Sequence, residues 1–365
     1  EIGTGDWSSD VCSSDLQIMF MAMTAMLIAS CSSDDVVSTN TGRAIDFRTS
    51  VGTRGAETTT DNIKEFYVTA IDANNANYFT DLKFEKEAKS TFFVSSPLYY
   101  WPIGDLKFDA YSPSATDLGA TISISSTAKT MTGFSPATAI KDQKDFVTAY
   151  ATGNRKNNES SGVKLTFAHQ LSQIEIKAKN TNTGYIYKVV GVRIGKPVSK
   201  GTFTFSTNTW SLTTTEKANY AVEYTTDPRA LTAAAATMMG AANDNAMLLP
   251  QQLTAWDFKT DQTNTKNGAY IALKIQITTK DGARVYPAKG DYDWAAVAID
   301  TNWEAGKKYV YTLDFSNGAG KVDPEKPQPV DPTDPFKPGE DILGKPIKFT
   351  VIVTPWAPAD QPVEM

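Results

Sequence analysis

The sequence predicts an all-β fold of the sandwich type, and three observations carry that prediction. Apolar residues recur at every second position in short runs, the pattern of a strand with one buried face. Clusters of Gly, Asn, Asp, Ser and Pro separate these runs, as in sandwiches and barrels. Thr, Ser, Asn and aromatic residues are abundant, with Phe, Trp and Tyr at 11% of the chain, whereas helical periodicity is scarce.

Taken in order, residues 44–51 set Ile45, Phe47, Thr49 and Val51 on one face against Asp46, Arg48 and Ser50 on the other. Residues 63–71 form the next strand and stop at Asp72-Ala73-Asn74-Asn75. Strands follow at 82–84, 91–94, 106–111, 121–124 and 146–151. Residues 154–161 (Asn-Arg-Lys-Asn-Asn-Glu-Ser-Ser) are wholly polar and mark either a domain boundary or a long exposed loop. Beyond them, strands are expected at 163–167, 173–179, 185–194, 201–205 and 221–224. Others fall at 246–249, 270–278, 297–299 and 308–315. Residues 230–240, rich in Ala and Met, fit a helix or a loop excursion equally well.

Prolines at 324, 327, 329, 332, 335 and 338 make 322–339 an extended, semi-rigid spacer, because proline donates no ladder hydrogen bond. The spacer delivers a strong strand at 346–356, with Ile347, Phe349, Val351 and Val353 on one face. Such a strand folds back on its own domain or reaches another molecule.

The N-terminal region carries an address. Residues 17–31 are an apolar run ending in Ile28-Ala29-Ser30-Cys31. The run is too short to span a bilayer but suits a secretory signal, and its end has the form of a lipoprotein box. Cleavage before Cys31 would leave that thiol to take lipid, with 17–30 as the signal peptide. A signal peptide needs a positive leading region, yet no Lys or Arg precedes Arg43, and Ser-Ser-Asp occurs at both 8–10 and 13–15. Residues 1–16 are therefore expected to be non-native.

The balance of 35 basic and 41 acidic residues argues against nucleic acid. The two cysteines are Cys12, in the suspect segment, and Cys31, so neither a disulfide nor a thiolate metal site is expected in the mature protein. His169 is the only histidine and reads as a hydrogen-bonded structural residue. No transition-metal site, cofactor or catalytic residue is expected. No nucleophile elbow, zinc helix or phosphate loop occurs, and the chain reads as non-enzymatic. Tyr99-Tyr100-Trp101 could stack on sugar rings but is better placed in a core.

These pieces together resemble the fimbrillin-like lipoproteins of Bacteroidetes, pilus subunits and related adhesins. The matching residues are the box at Cys31, Thr53-Arg54, Tyr99-Tyr100-Trp101-Pro102, Asp145-Phe146-Val147-Thr148-Ala149 and 165–172. Residues 106–111 with Pro113, Gly201-Thr202-Phe203-Thr204-Phe205 with Trp210, Leu248-Leu249-Pro250-Gln251, 303–313 and Val353-Thr354-Pro355-Trp356 complete the set. The resemblance implies two tandem transthyretin-like Greek-key β-sandwich domains, at 31–160 and 161–321, followed by the spacer and strand of 322–365. It implies an outer-membrane lipid anchor on Cys31, display on the cell surface and partnership with other pilin subunits, the adhesion ligand being undefined. It also implies a cut between Arg54 and Gly55 that removes the strand bearing Ile45, Phe47 and Val51. The strand bearing Ile347, Phe349, Val351 and Val353 would then be a donor for the vacated place. The alternative is a glycan-binding surface lipoprotein that stays monomeric and anchored.

Overall fold

Period-two alternation dominates the chain, and a computed structural model shows what it builds. The structure describes residues 42–51, 63–88, 90–240, 245–257, 268–327 and 331–356. The first strands are β1 (Phe47–Val51), β2 (Glu65–Asp72), β3 (Asn77–Lys86), β4 (Phe92–Ser95) and β5 (Leu106–Ser112). Next come β6 (Thr121–Ile124), β7 (Lys129–Phe134), β8 (Val147–Gly153), β9 (Val163–His169) and β10 (Ser172–Lys179). They are followed by β11 (Tyr185–Val198), β12 (Gly201–Thr204), β13 (Thr209–Leu212), β14 (Lys217–Glu223), β15 (Arg229–Ala230) and β16 (Ala236–Met239). The remainder are β17 (Ala246–Leu248), β18 (Gln251–Gln252), β19 (Tyr270–Thr279), β20 (Arg284–Tyr286), β21 (Asp293–Ala298), β22 (Asn302–Trp303), β23 (Lys307–Asp314), β24 (Lys321–Val322) and β25 (Lys348–Pro355). Among the described residues, two single-turn α-helices, α1 (Ala115–Leu118) and α2 (Arg155–Asn158), and a 3-10 turn (Ile140–Asp142) interrupt them.

The chain is all-β, as its alternation requires. Seven strands close into a barrel in the order β1-β4-β3-β2-β5-β8-β9. Its interior is packed with Phe47, Phe66, Phe84, Phe93, Phe108 and Phe167, so it is a filled core. Trp101 belongs to that core, edge-on to Phe108 at 6.1 Å, and Tyr99 packs beside it. A second core lies between the sheet β16-β10-β23-β25 and the sheet β14-β11-β19-β21-β24. The strand β10 runs parallel to β23, and β11 pairs antiparallel with β19 over ten residue pairs. A third cluster, around Phe146, Phe203, Leu249 and Trp356, joins residues of both regions.

The polar segment 154–161 is largely exposed. It holds α2, capped by the Asn154 side chain, and connects β8 to its ladder partner β9 within one barrel. Pairing also crosses residue 160 where β7 meets β12. Residues 230–240 are not helical, since β16 pairs with β10 there, and the buried Met238 and Met239 extend the sheet.

The described residues of the proline-rich segment are tied to the neighbouring sheets by charge. Arg193 holds Asp323 at 2.5 Å, and Lys196 and Asn219 both bind Glu325. Lys326 reaches Asp334 at 2.7 Å and Asp293 at 3.3 Å. Proline removes backbone donors, but side-chain ion pairs fasten the segment instead. Gly320 allows the chain to turn there, at φ +74°, where a Cβ would lie 2.7 Å from Ala296 O and from the Ile347 side chain.

Candidate strand-exchange site

The strand β1 is the closing stave of the barrel. On one side it pairs antiparallel with β4, Phe47 opposite Phe93 and Arg48 opposite Phe92. On the other it runs parallel to β9, pairing Phe47 with Val163 through to Val51 with Phe167. Closure leaves no free edge. Loss of β1 would create two edges at once, along β4 and β9, and an apolar trough between them.

Phe47 fills that trough with no solvent exposure. It stands edge-on to Phe84 at 4.7 Å, Phe108 at 5.1 Å and Phe66 at 5.9 Å, a favoured aromatic geometry. Ile45, also buried, donates its backbone N–H to Tyr99 O at 2.7 Å. Ser50 and Thr166 share a hydroxyl hydrogen bond of 3.1 Å.

Alternation puts Asp46 on the open face, yet its side chain is only 5% exposed. Arg43 pairs with it at 3.0 Å, and Val163 donates to its backbone carbonyl at 3.0 Å. Burial raises the Asp46 pKa, and Arg43 only partly offsets this. Gly162, at φ +70°, leaves room for the carboxylate, because a Cβ would sit 2.7 Å from its oxygen. Arg43 itself donates its backbone N–H to Glu159 at 3.2 Å. The alternation gave no sign of this pair.

The other predicted segment, β25, lies in its own chain, antiparallel to β23 from Lys307 opposite Pro355 to Asp314 opposite Lys348. It is the last strand of its sheet, so one backbone edge is open. Ile347 is buried, Phe349 and Val351 are half-buried, and Val353 is 50% exposed. The four residues, expected on one face, thus differ in burial. Ile352 on the opposite side is 60% exposed. Trp356, just beyond β25, is fully buried and stacks on His169 at 4.1 Å with a 10° interplanar angle. The His169 Nδ1 lies 2.8 Å from an Asp145 carboxylate oxygen. Local pattern could not have paired His169 with a tryptophan so far along the chain.

Cys31, Arg54 and Gly55 lie outside the described residues. Among the described residues, no cluster of three or more His, Cys, Asp or Glu side chains is placed to hold a metal ion. Among those residues, no helix is long and apolar enough to cross a membrane.

The chain belongs to the fimbrillin-like family, whose model matches residues 49–327. It is similar to the fimbrium subunit Fim1C of Phocaeicola vulgatus, 25% identical across 84% of this chain and 94% of that protein. Its fold resembles the crystal structure of a fimbrial protein from Bacteroides vulgatus, with a TM-score of 0.56 and 17% identity over 86% of this chain and 99% of the other. A fimbrilin from Porphyromonas gingivalis aligns over 88% of this chain and 99% of its own, with a TM-score of 0.48 and 12% identity.

Proposed function

We propose that the chain is a non-enzymatic subunit or adhesin of a cell-surface fimbria, exported as a lipoprotein anchored through Cys31 and assembled by donor-strand exchange. The observation that carries this reading is the position of β1. It closes the barrel, and it ends three residues before Arg54. A cut between Arg54 and Gly55 would free β1 together with everything before it, including the lipid on Cys31. The trough would then present unpaired backbone and buried apolar sites, which an alternating strand from another subunit satisfies by β-augmentation. The match to a fimbrium subunit over most of both chains supports the same reading.

Treatment with an Arg-specific protease, followed by mixing with untreated protein, should give ladders that resist SDS. Arg54→Ala should abolish them, and monomers alone in every sample would overturn exchange. The glycan-binding alternative has one favourable observation. Tyr150, 57% exposed, borders a cleft of about 130 Å³ lined also by Asp109, Thr148, Gln170 and Asn208. That reading expects a monomeric protein whose retention on a glycan array falls when Tyr150 becomes Ala.

A further inference from the structure

Away from β1, a cavity of about 340 Å³ opens where the β10–β11 turn, the exit of β23 and the approach to β25 meet. It lies at the Lys179 end of β10, whereas the barrel joins through β9 at the Ser172 end. No residue of β1 lines it. Its size is that of a small-ligand cleft, roughly 300–1,000 Å³, and most of its side chains are polar.

Tyr185 and Tyr187 stand two residues apart on one face of β11, and both line the cavity. Tyr187 is buried and donates its hydroxyl to Phe315 O at 3.4 Å, closing the cavity beneath. Tyr185 is half-buried and offers an aromatic ring. The negative face of such a ring suits the C–H side of a sugar.

The rest of the wall is rich in donors. Ser316 Oγ accepts from the Thr181 backbone N–H at 2.8 Å and from the Thr181 hydroxyl at 2.7 Å, so its own proton is left over. Asn182 spends its carbonyl oxygen on the Gly184 N–H at 2.9 Å. One proton of its amide points to Ser316 O at 3.4 Å, which leaves the second unspent. Asn317 is exposed at the rim.

Lys345 brings the one charge among the described lining residues. Its backbone is held in place: a Cβ on Gly318 would lie 1.9 Å from Lys345 O, so backbone packs directly on backbone there. The Lys345 N–H donates to Leu343 O at 2.8 Å, with Gly344 between them at φ +65°. Lys345 is exposed, and among the described residues no carboxylate pairs with it. Asp314 accepts from the Ser316 backbone N–H at 3.0 Å but is already tied to Lys179 at 3.1 Å. A ligand anion therefore meets an ammonium and no opposing acid in the wall.

We propose that this cavity binds a sugar bearing a carboxylate, of the uronic-acid kind. Its ring lies on Tyr185, its carboxylate meets Lys345, and its hydroxyls meet Ser316, Asn182 and Asn317. A neutral sugar leaves Lys345 unanswered, and a small carboxylate leaves Tyr185 and the amides uncovered. The inference rests on the adhesin reading and gives the chemistry of its ligand. It does not need strand exchange, because the cavity and β1 share no residue.

Methyl glucuronide, methyl glucoside and acetate are each titrated against the full chain by saturation-transfer NMR. The glucuronide should bind about tenfold more tightly than the glucoside, the scale of one charge-assisted hydrogen bond. Lys345→Gln should remove that advantage, and Asn317→Asp should weaken the glucuronide while sparing the glucoside. Both residues are exposed, so neither change threatens folding. Irradiating the aromatic protons should saturate the sugar ring protons before the methyl group. Equal affinity for the two sugars, or an advantage that survives Lys345→Gln, overturns the inference. Acetate binding as tightly as the glucuronide would make this a bare anion contact and overturn it too. If no ligand binds while Arg-protease treatment still gives SDS-resistant ladders, this site falls and the fimbrial reading stands. Binding without ladders keeps the site and sinks strand exchange.

Discussion

Phe47 has no solvent exposure and meets three other phenylalanine rings edge-on, so its removal leaves a hole that rigid neighbours cannot fill. Phe47→Ala should cost about 3–5 kcal/mol of stability, read from the denaturant midpoint. Val353, 50% exposed at the sheet edge, offers a contrast. Val353→Ala should cost less than about 1 kcal/mol, because little buried area is lost. If the two variants melted alike, Phe47 would not be holding the barrel shut.

At the scale of elements, the proline-rich segment is held by charge. Arg193 lies beneath the Trp294 ring at 4.5 Å and pairs with Asp323, while Glu325 takes Lys196 and Asn219. Burial pushes the Glu325 pKa up, but Lys196 and Asn219, backed by Arg193, outweigh it and hold the group below the ordinary glutamate range. A depressed carboxylate stabilises fully above its unfolded pKa, about 4.3, and the gain disappears as pH falls through the folded value. Glu325→Gln should therefore lower stability by about 1–3 kcal/mol at pH 7, and wild type and variant should converge below about pH 4 in melts run across pH. A difference that persisted into acid would show that the ion pairs do not fasten the segment. This element was also the least legible in the sequence. Its prolines announced an absent ladder, and nothing near them named Arg193 or Lys196, more than a hundred residues earlier. The strands were legible because alternation is local: 121–124 matches β6, and 173–179 lies within β10. The strands β7, β13 and β20 were missed because Lys129–Phe134, Thr209–Leu212 and Arg284–Tyr286 carry too few alternating apolar residues to stand out. For the site, the two apolar faces were readable, but the Arg43–Asp46 pair and the His169–Trp356 stack arise only from tertiary packing.

Across the whole molecule, β9 links β1 to the exit of β25. Five of its residues pair with β1, whereas β8 supplies two pairs, at Ala168 and His169. At its end His169 stacks beneath Trp356, whose backbone N–H donates to Gly306 O at 2.7 Å and so pins the exit of β25. Loosening β1 strips most of the β9 ladder and should loosen the Trp356 stack, freeing β25. Coupling of this kind is reciprocal, so loosening Trp356 must loosen β1 by the same free energy. Thr49→Pro breaks the β1–β9 ladder where the side chain is only half-buried, and Trp356→Leu breaks the stack. Because His169 is the only histidine, its imidazole protons give unambiguous NMR signals in untagged protein, shifted by the overlying indole. Thr49→Pro should move those signals toward the free-histidine position and speed amide exchange in 348–355 by about tenfold. Trp356→Leu should speed exchange in 47–51 by a similar factor, while the central strand β19 stays protected in both. Unchanged His169 signals in Thr49→Pro, or an equal loss of protection in β19, would mean that the two strands are held independently or unfold only with the whole domain.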